Sequence, residues 1–164
     1  MKKMIISSFI TIIFSLEIFP EPAYITLCKA DEINILTFMT AENKTMSICA
    51  GKDFIIYRYG KKNSMEMEFP GDKHNSWSQF RYSFYIRGGG PENEGIDINY
   101  LKFKYRGADY TVYEEYSSAD NKKLCGIKIR DRATGKETDI PALPATVTGS
   151  LAALREYDKI QSEE

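Results

Sequence analysis

Histidine and tryptophan occur once each in this 164-residue chain, at His74 and Trp77, and cysteine only three times, at Cys28, Cys49 and Cys125. A nucleophilic cysteine or serine normally needs a neighbouring base, most often histidine. A structural zinc site needs four Cys or His ligands in paired spacings. A single histidine and scattered cysteines supply neither, and His74 sits in the polar loop "GDKHNSW" between turn signals. No serine lies in a G-x-S-x-G setting, and the phosphate loop G-x-x-x-x-G-K-[ST] is missing. Neither sign of charge dominates: 22 Lys and Arg face 23 Asp and Glu, a net charge of −1. Nucleic acid is therefore not an expected partner, since it calls for a basic domain. Adjacent carboxylates do occur, yet Glu66 and Glu68 lie on the polar side of an alternating strand, where solvation is their ordinary state. The expectation is a protein without cofactor, metal or catalytic residues, and so not an enzyme.

The N-terminus carries the strongest targeting signal. Lys2 and Lys3 precede an apolar run from Met4 to Leu16, which Glu17, Pro20 and Pro22 stop short of the roughly 20 residues a spanning helix needs. Cys28-Lys29-Ala30 then places small residues at −3 and −1 of a cleavage point. Residues 1–30 thus read as a secretory signal peptide cut after Ala30. A lipoprotein would be modified at Cys28, but bulky Leu27 directly before it disfavours that route. Residues 31–164 remain as one domain, expected in the periplasm or secreted. In that oxidising setting the remaining pair, Cys49 and Cys125, is expected to form a disulfide. The strand pattern leaves an alternative of two separate buried thiols: Cys125 shares a face with Ile127 and Ile129, whereas Cys49 alternates against Ile48 and Ala50.

Period-two alternation fills the middle of the chain. "TMSICA", "FIIYRY", "MEMEF", "WSQFRYSFYIR", "INYLKFKYR", "YTVYEEY", "CGIKIRDR" and "KETDI" are strand-length runs separated by Gly, Asn, Asp and Pro turn signals. In the longest run Phe80, Tyr82, Phe84 and Ile86 share the inward face. The fold class expected is mainly β, an antiparallel β-sandwich or open barrel. Residues 141–149 read as an extended linker because each proline removes a ladder donor. Ser150 then caps a short C-terminal helix bearing Leu151, Leu154 and Tyr157 on one face, with a final strand as the alternative.

The candidate binding site is the stretch "YIRGGGPENEG". Gly88, Gly89 and Gly90 follow Arg87 between two amphipathic strands, and long loops at sheet ends are where binding residues concentrate. Tyr and Arg are the residue types that anchor interfaces, so Arg87 and Tyr85 are the expected contact, with Trp77 nearby. Arg81, Tyr100, Lys102, Lys104 and Arg106 extend it as a basic, tyrosine-bearing outer face suited to an acidic partner.

The segments "ICAGKDFIIYRYGKKNSMEMEFP", "SWSQFRYSFYIRGGGPENEG" and "YLKFKYRGADYTVYEEY" resemble a group of small exported bacterial proteins of largely unassigned function. In strand plan and compartment the chain is also similar to periplasmic lysozyme inhibitors and to β-rich immunity proteins. It lacks the Ser-Gly and Trp-x-Lys-Gly elements of the inhibitors, so no inhibitory residue carries over. The resemblance implies a protein partner, a secreted or injected cell-wall-active enzyme, blocked by a loop that enters its cleft. An envelope-associated structural or glycan-binding β-domain is the alternative.

Overall fold

The structure is a computed structural model and describes residues 25–162. Eleven strands form two sheets packed as a sandwich: β1 Ile33–Met39, β2 Thr45–Ala50, β3 Ile55–Lys61, β4 Ser64–Phe69, β5 Arg81–Arg87, β6 Ile96–Tyr105, β7 Ala108–Ser117, β8 Lys122–Asp131, β9 Glu137–Pro141, β10 Thr148–Gly149 and β11 Gln161–Ser162. One sheet has the order β10-β1-β2-β3-β4, the other β11-β5-β6-β7-β8-β9. Every pairing is antiparallel except that of β11, which lies parallel to β5 at Arg81 and Tyr82. Successive strands joined by tight turns make this meander the short-path solution for an alternating sequence. No helix among the described residues is long and apolar enough to cross a membrane.

The core collects the inward residues of both sheets: Leu36, Phe38, Met46 and Ile48 on one side, Leu101, Val112 and Ile127 on the other. Phe103 is the hub of an aromatic cluster, stacked on Phe69 at 4.6 Å and on Tyr110 at 5.0 Å, with Tyr57 and Phe80 inclined against it. Residues 141–149 do more than link. Pro141 ends β9, Pro144–Thr146 makes a 3-10 turn and β10 joins the other sheet, so the segment carries the chain between the sheets. The expected C-terminal helix is a 3-10 turn, Leu151–Glu156, whose Ala152 N–H donates to the Ser150 hydroxyl at 3.1 Å. Side chains three apart eclipse in this helix type, so Leu151 and Leu154 both enter the core, and Tyr157 stacks on Trp77 at 5.1 Å.

The expected disulfide pairing is corrected. The disulfide joins Cys28 to Cys49, and Cys125 is a free buried thiol. The alternation along β2 explains why: Ile48 and Ala50 face the core while Cys49 faces outward, and Cys125 faces the core from the opposite sheet. Residues 25–30, read as the end of a leader, pack against the five-stranded sheet in the full-length chain. Leu27 is buried, and its N–H donates to the Ser47 hydroxyl at 3.0 Å. A cut after Ala30 would remove the disulfide partner. The apolar leader run itself lies outside the described residues.

This strap covers the outer face of the five-stranded sheet, which is why all six residues of β2 are buried. Beneath it lies Arg58, 1 % exposed. Its guanidinium donates to Glu32, to Glu68 Oε2 at 2.6 Å and to the Leu27 carbonyl at 3.2 Å. Burial by itself would raise the Glu32 carboxyl. Hydrogen bonds from Arg58, the Lys29 N–H and Lys73, with the charge of Arg58, outweigh that and hold it at about 2 against an ordinary 4.5.

Because the folded carboxyl ionises below the unfolded one, its contribution is complete above pH 4.5 and is lost as pH falls toward about 2. Urea titrations should show a loss across that window approaching about 3 kcal/mol, absent in Glu32→Gln. At pH 7, Arg58→Ala should cost about 3–5 kcal/mol, since it strands the buried Glu32 carboxylate, whereas Arg58→Met with Glu32→Leu should recover most of it.

Candidate functional site

The glycine segment joins β5 to β6 as a narrow protrusion whose stem is fastened from within. Gly90 and Asn93 exchange backbone hydrogen bonds of 2.9 and 3.3 Å across the bend. At the base Gly95 donates to the Ser118 hydroxyl at 2.7 Å and accepts from the Ser118 N–H at 2.9 Å. The two limbs of the loop lie so close that a Cβ on Gly89 would sit 3.2 Å from the Gly95 nitrogen. Arg87, expected at the partner contact, is paired within its own loop. It donates to the Glu94 carbonyl at 3.1 Å and pairs with the Glu94 carboxylate at 3.2 Å, while Ser117 holds the other carboxylate oxygen. An acidic residue in its own loop neutralises it, and the tip is left to Pro91, Glu92 and Asn93.

Beside this loop β5 outruns the core. Tyr82 is buried, but Phe84 and Ile86, expected inward, are 51 % and 53 % exposed, as is Tyr85 on the opposite face at 53 %. Leu124 and Tyr116 add apolar surface to the same end of the sheet. In register, Ile86 and Tyr116 flank Asp97 on one face, while Tyr85 and Leu124 flank Ile98 and Glu115 on the other. The alternation was legible; how far the facing sheet reaches was not. Trp77, expected at the contact surface, is 5 % exposed in the core.

Behind the exposed end a polar cluster clamps the C-terminal turn. Tyr82 donates to Asn99 at 2.6 Å, and Arg155 donates to Asn99 at 2.7 Å and to Asp97 while lying over the Phe84 ring. Buried Glu114 accepts from Leu151 N–H, the Ser150 hydroxyl at 2.9 Å and Lys123. Burial pushes Tyr82 up to about 12 against the partial pull of Arg155. The Cys125 thiol is likewise raised to about 12, chiefly by burial and then by Glu114, which leaves it a poor nucleophile at neutral pH. Each carboxylate here is spent on a donor. The same holds for Glu66 on Lys44 and Glu68 on Arg58. Cys28, Glu32 and Cys49 bring ligand atoms within 4.8 Å of one another, but the sulfurs are bonded together and Glu32 holds Arg58. His74 is exposed in its loop.

Arg81, Lys102 and Lys104, expected on a basic outer face, lie on one side of the six-stranded sheet. Arg81 lies directly opposite Lys102. Lys104, Asp109, Arg130 and Glu137 form the next row across β6 to β9, and Lys128 stands beside them. Together they line a concavity of about 810 Å³. Tyr100 is not part of its lining; it donates to Glu115 at 2.8 Å, and burial with that carboxylate lifts its phenol to about 12. Arg106 is absent from the groove; it occupies the β6–β7 turn at φ 44° and lies against Tyr105. Lys128 and Arg130 were overlooked, although "CGIKIRDR" sets them outward as plainly as β6 sets out Lys102 and Lys104. No protein-family model, curated protein or solved structure matches this chain.

Gly95→Val should part the loop limbs and break the Ser118 contact. The expected cost is about 1–3 kcal/mol, with faster hydrogen exchange at the residue-95 amide. Gly88→Ala, which meets nothing within 4 Å, should leave both measurements near wild type.

Proposed function

We propose that the protein is a binding protein of the inhibitor or immunity type, acting in the periplasm on a cell-wall-degrading enzyme or secreted toxin by protein contact. The observation that carries this reading is the exposed apolar end beside the glycine loop. Phe84 and Ile86 on one face of β5 and Tyr85 on the other are each about half exposed, so both faces of this strand end present apolar side chains. Exposed apolar side chains gathered at one place mark interaction sites, and aromatic anchors dominate their energetics. The loop beside it is stiffened by its own hydrogen bonds, so little ordering entropy opposes docking. Leader chemistry and the Cys28–Cys49 disulfide support an exported protein. Arg87, paired with Glu94, orients the loop in this reading, and Tyr85 with its neighbours makes the contact.

Capture from a periplasmic extract on the immobilised protein should retain a wall-active hydrolase at one-to-one stoichiometry, with its turnover inhibited. Tyr85→Ala should weaken that complex by more than about 2 kcal/mol, as hot-spot truncations do, with thermal unfolding unchanged. Undiminished capture by Tyr85→Ala and Phe84→Ala would remove this surface from the interaction. Sedimentation with purified wall material in place of a protein partner would favour the envelope-associated alternative.

A further inference from the structure

We propose that the outer edge of β5 pairs with the same edge of a second copy of this chain, antiparallel about Tyr85, joining two six-stranded sheets into one. β11 pairs with β5 only at Arg81 and Tyr82. From Ser83 to Arg87 the strand continues, held by β6 on one side. Among the described residues no strand lies on its other side, and no backbone bond outside the ladder reaches this stretch. Backbone N–H and C=O groups on that side are unmet, which makes the edge a template for another strand.

The other terminal strands of the two sheets are protected. β10 is two residues long, β4 carries Glu66 and Glu68, and β9 carries Glu137 and Asp139 and ends at Pro141. Short strands, charges and proline are the ordinary devices against edge pairing. Ser83-Phe84-Tyr85-Ile86 has none of them, its register with β6 runs without a bulge, and Glu94 neutralises Arg87.

The side chains decide what occupies the edge. An added strand lies beside Phe84 and Ile86 on one face and beside Tyr85 on the other, all about half exposed, so it must be apolar on both faces. Strands of half-solvated sheets are apolar on one face only. β5 itself meets the demand. A two-fold axis at Tyr85 sets Phe84 against Ile86 of the second copy on one face, and the two Tyr85 rings together on the other. Aromatic pairs and aromatic with β-branched pairs are the favourable cross-strand neighbours, and no like charges are opposed. Slipping the register one way runs into β11 at Tyr82. Slipping it the other way sets Arg87 against Phe84 and turns one copy's faces over. The contact is isologous and consumes both edges, so association stops at two copies. It withholds Tyr85 from the protein contact proposed above, so dimer and captured complex exclude each other. The dimer is measured on the pure protein and does not rest on that contact.

Sedimentation of the full chain, with its concentration raised to about 1 mM, should show reversible monomer–dimer association and no larger species. Ile86→Lys should weaken the dimer at least about tenfold, because the two-fold axis enters each change twice, and should leave thermal unfolding unchanged. If Ile86→Lys fails to unfold cooperatively, Phe84→Lys gives the same reading. Under diamide, Tyr85→Cys should cross-link to a dimer, whereas Leu143→Cys, exposed elsewhere, should stay monomeric at the same concentration. Hydrogen exchange should slow with concentration at alternate amides of residues 83–87. A monomer at every concentration, open-ended polymers, association that the lysine variant leaves intact, or no cross-link in Tyr85→Cys would each overturn the pairing. Slowed exchange at 83–87 only when a captured hydrolase is added would also overturn it, giving the edge to a foreign strand while the partner contact stands.

Discussion

The buried pairing of Arg58 with Glu32 is the constraint on which the N-terminal half of this sandwich depends. A guanidinium at the centre of a sheet is tolerable only if its donors are met without water, because an unpaired buried charge costs several kcal/mol. Three chain segments meet that demand: the strap contributes Glu32 and the Leu27 carbonyl, β3 contributes Arg58 itself and β4 contributes Glu68. The Cys28–Cys49 bond closes a separation of 21 residues over the same spot. Covalent link and ion pair thus restrain one short strap, and the strap in turn converts the outer face of β2 from solvent to interior.

A second polar cluster does the equivalent work at the C-terminal end. Glu114 and Asp97, on the inner face of the six-stranded sheet, receive the Ser150 cap, the Leu151 N–H and Arg155. They fix the turn that drives Leu151 and Leu154 into the core and lead the chain onward to pair as β11 with β5. Neither cluster has the character of a reactive site. Their titratable groups are matched donor to acceptor, with the Arg155 Nε as the unmatched buried atom between them.

Once both ends are tied, two kinds of surface remain that the sandwich does not consume. One such surface is apolar and aromatic, where β5 runs beyond the core beside a self-bonded loop. The other is cationic, where β5, β6 and β8 turn their polar sides outward. They differ in chemistry and are separated along the strands. Glycine serves the first surface by permitting two loop limbs to pack at Gly89 and Gly95 more closely than side chains would allow.

Local periodicity was enough to reveal the eight strands from β2 to β9 and the fold class, because a two-residue repeat is a property of each strand alone, but it left β1, β10 and β11 unmarked. The same rhythm already warned that Cys49 and Cys125 face different ways, and it displayed Lys128 and Arg130. Pairing across the fold was beyond it. That Cys28 meets Cys49, that Glu94 cancels Arg87, that Phe84 and Ile86 outrun the facing sheet and that Trp77 is enclosed by Tyr157 all depend on which segments arrive together. Sequence encodes the face a side chain takes; what lies against that face is decided by contacts between residues far apart in the chain, and those exist only once the two sheets have closed.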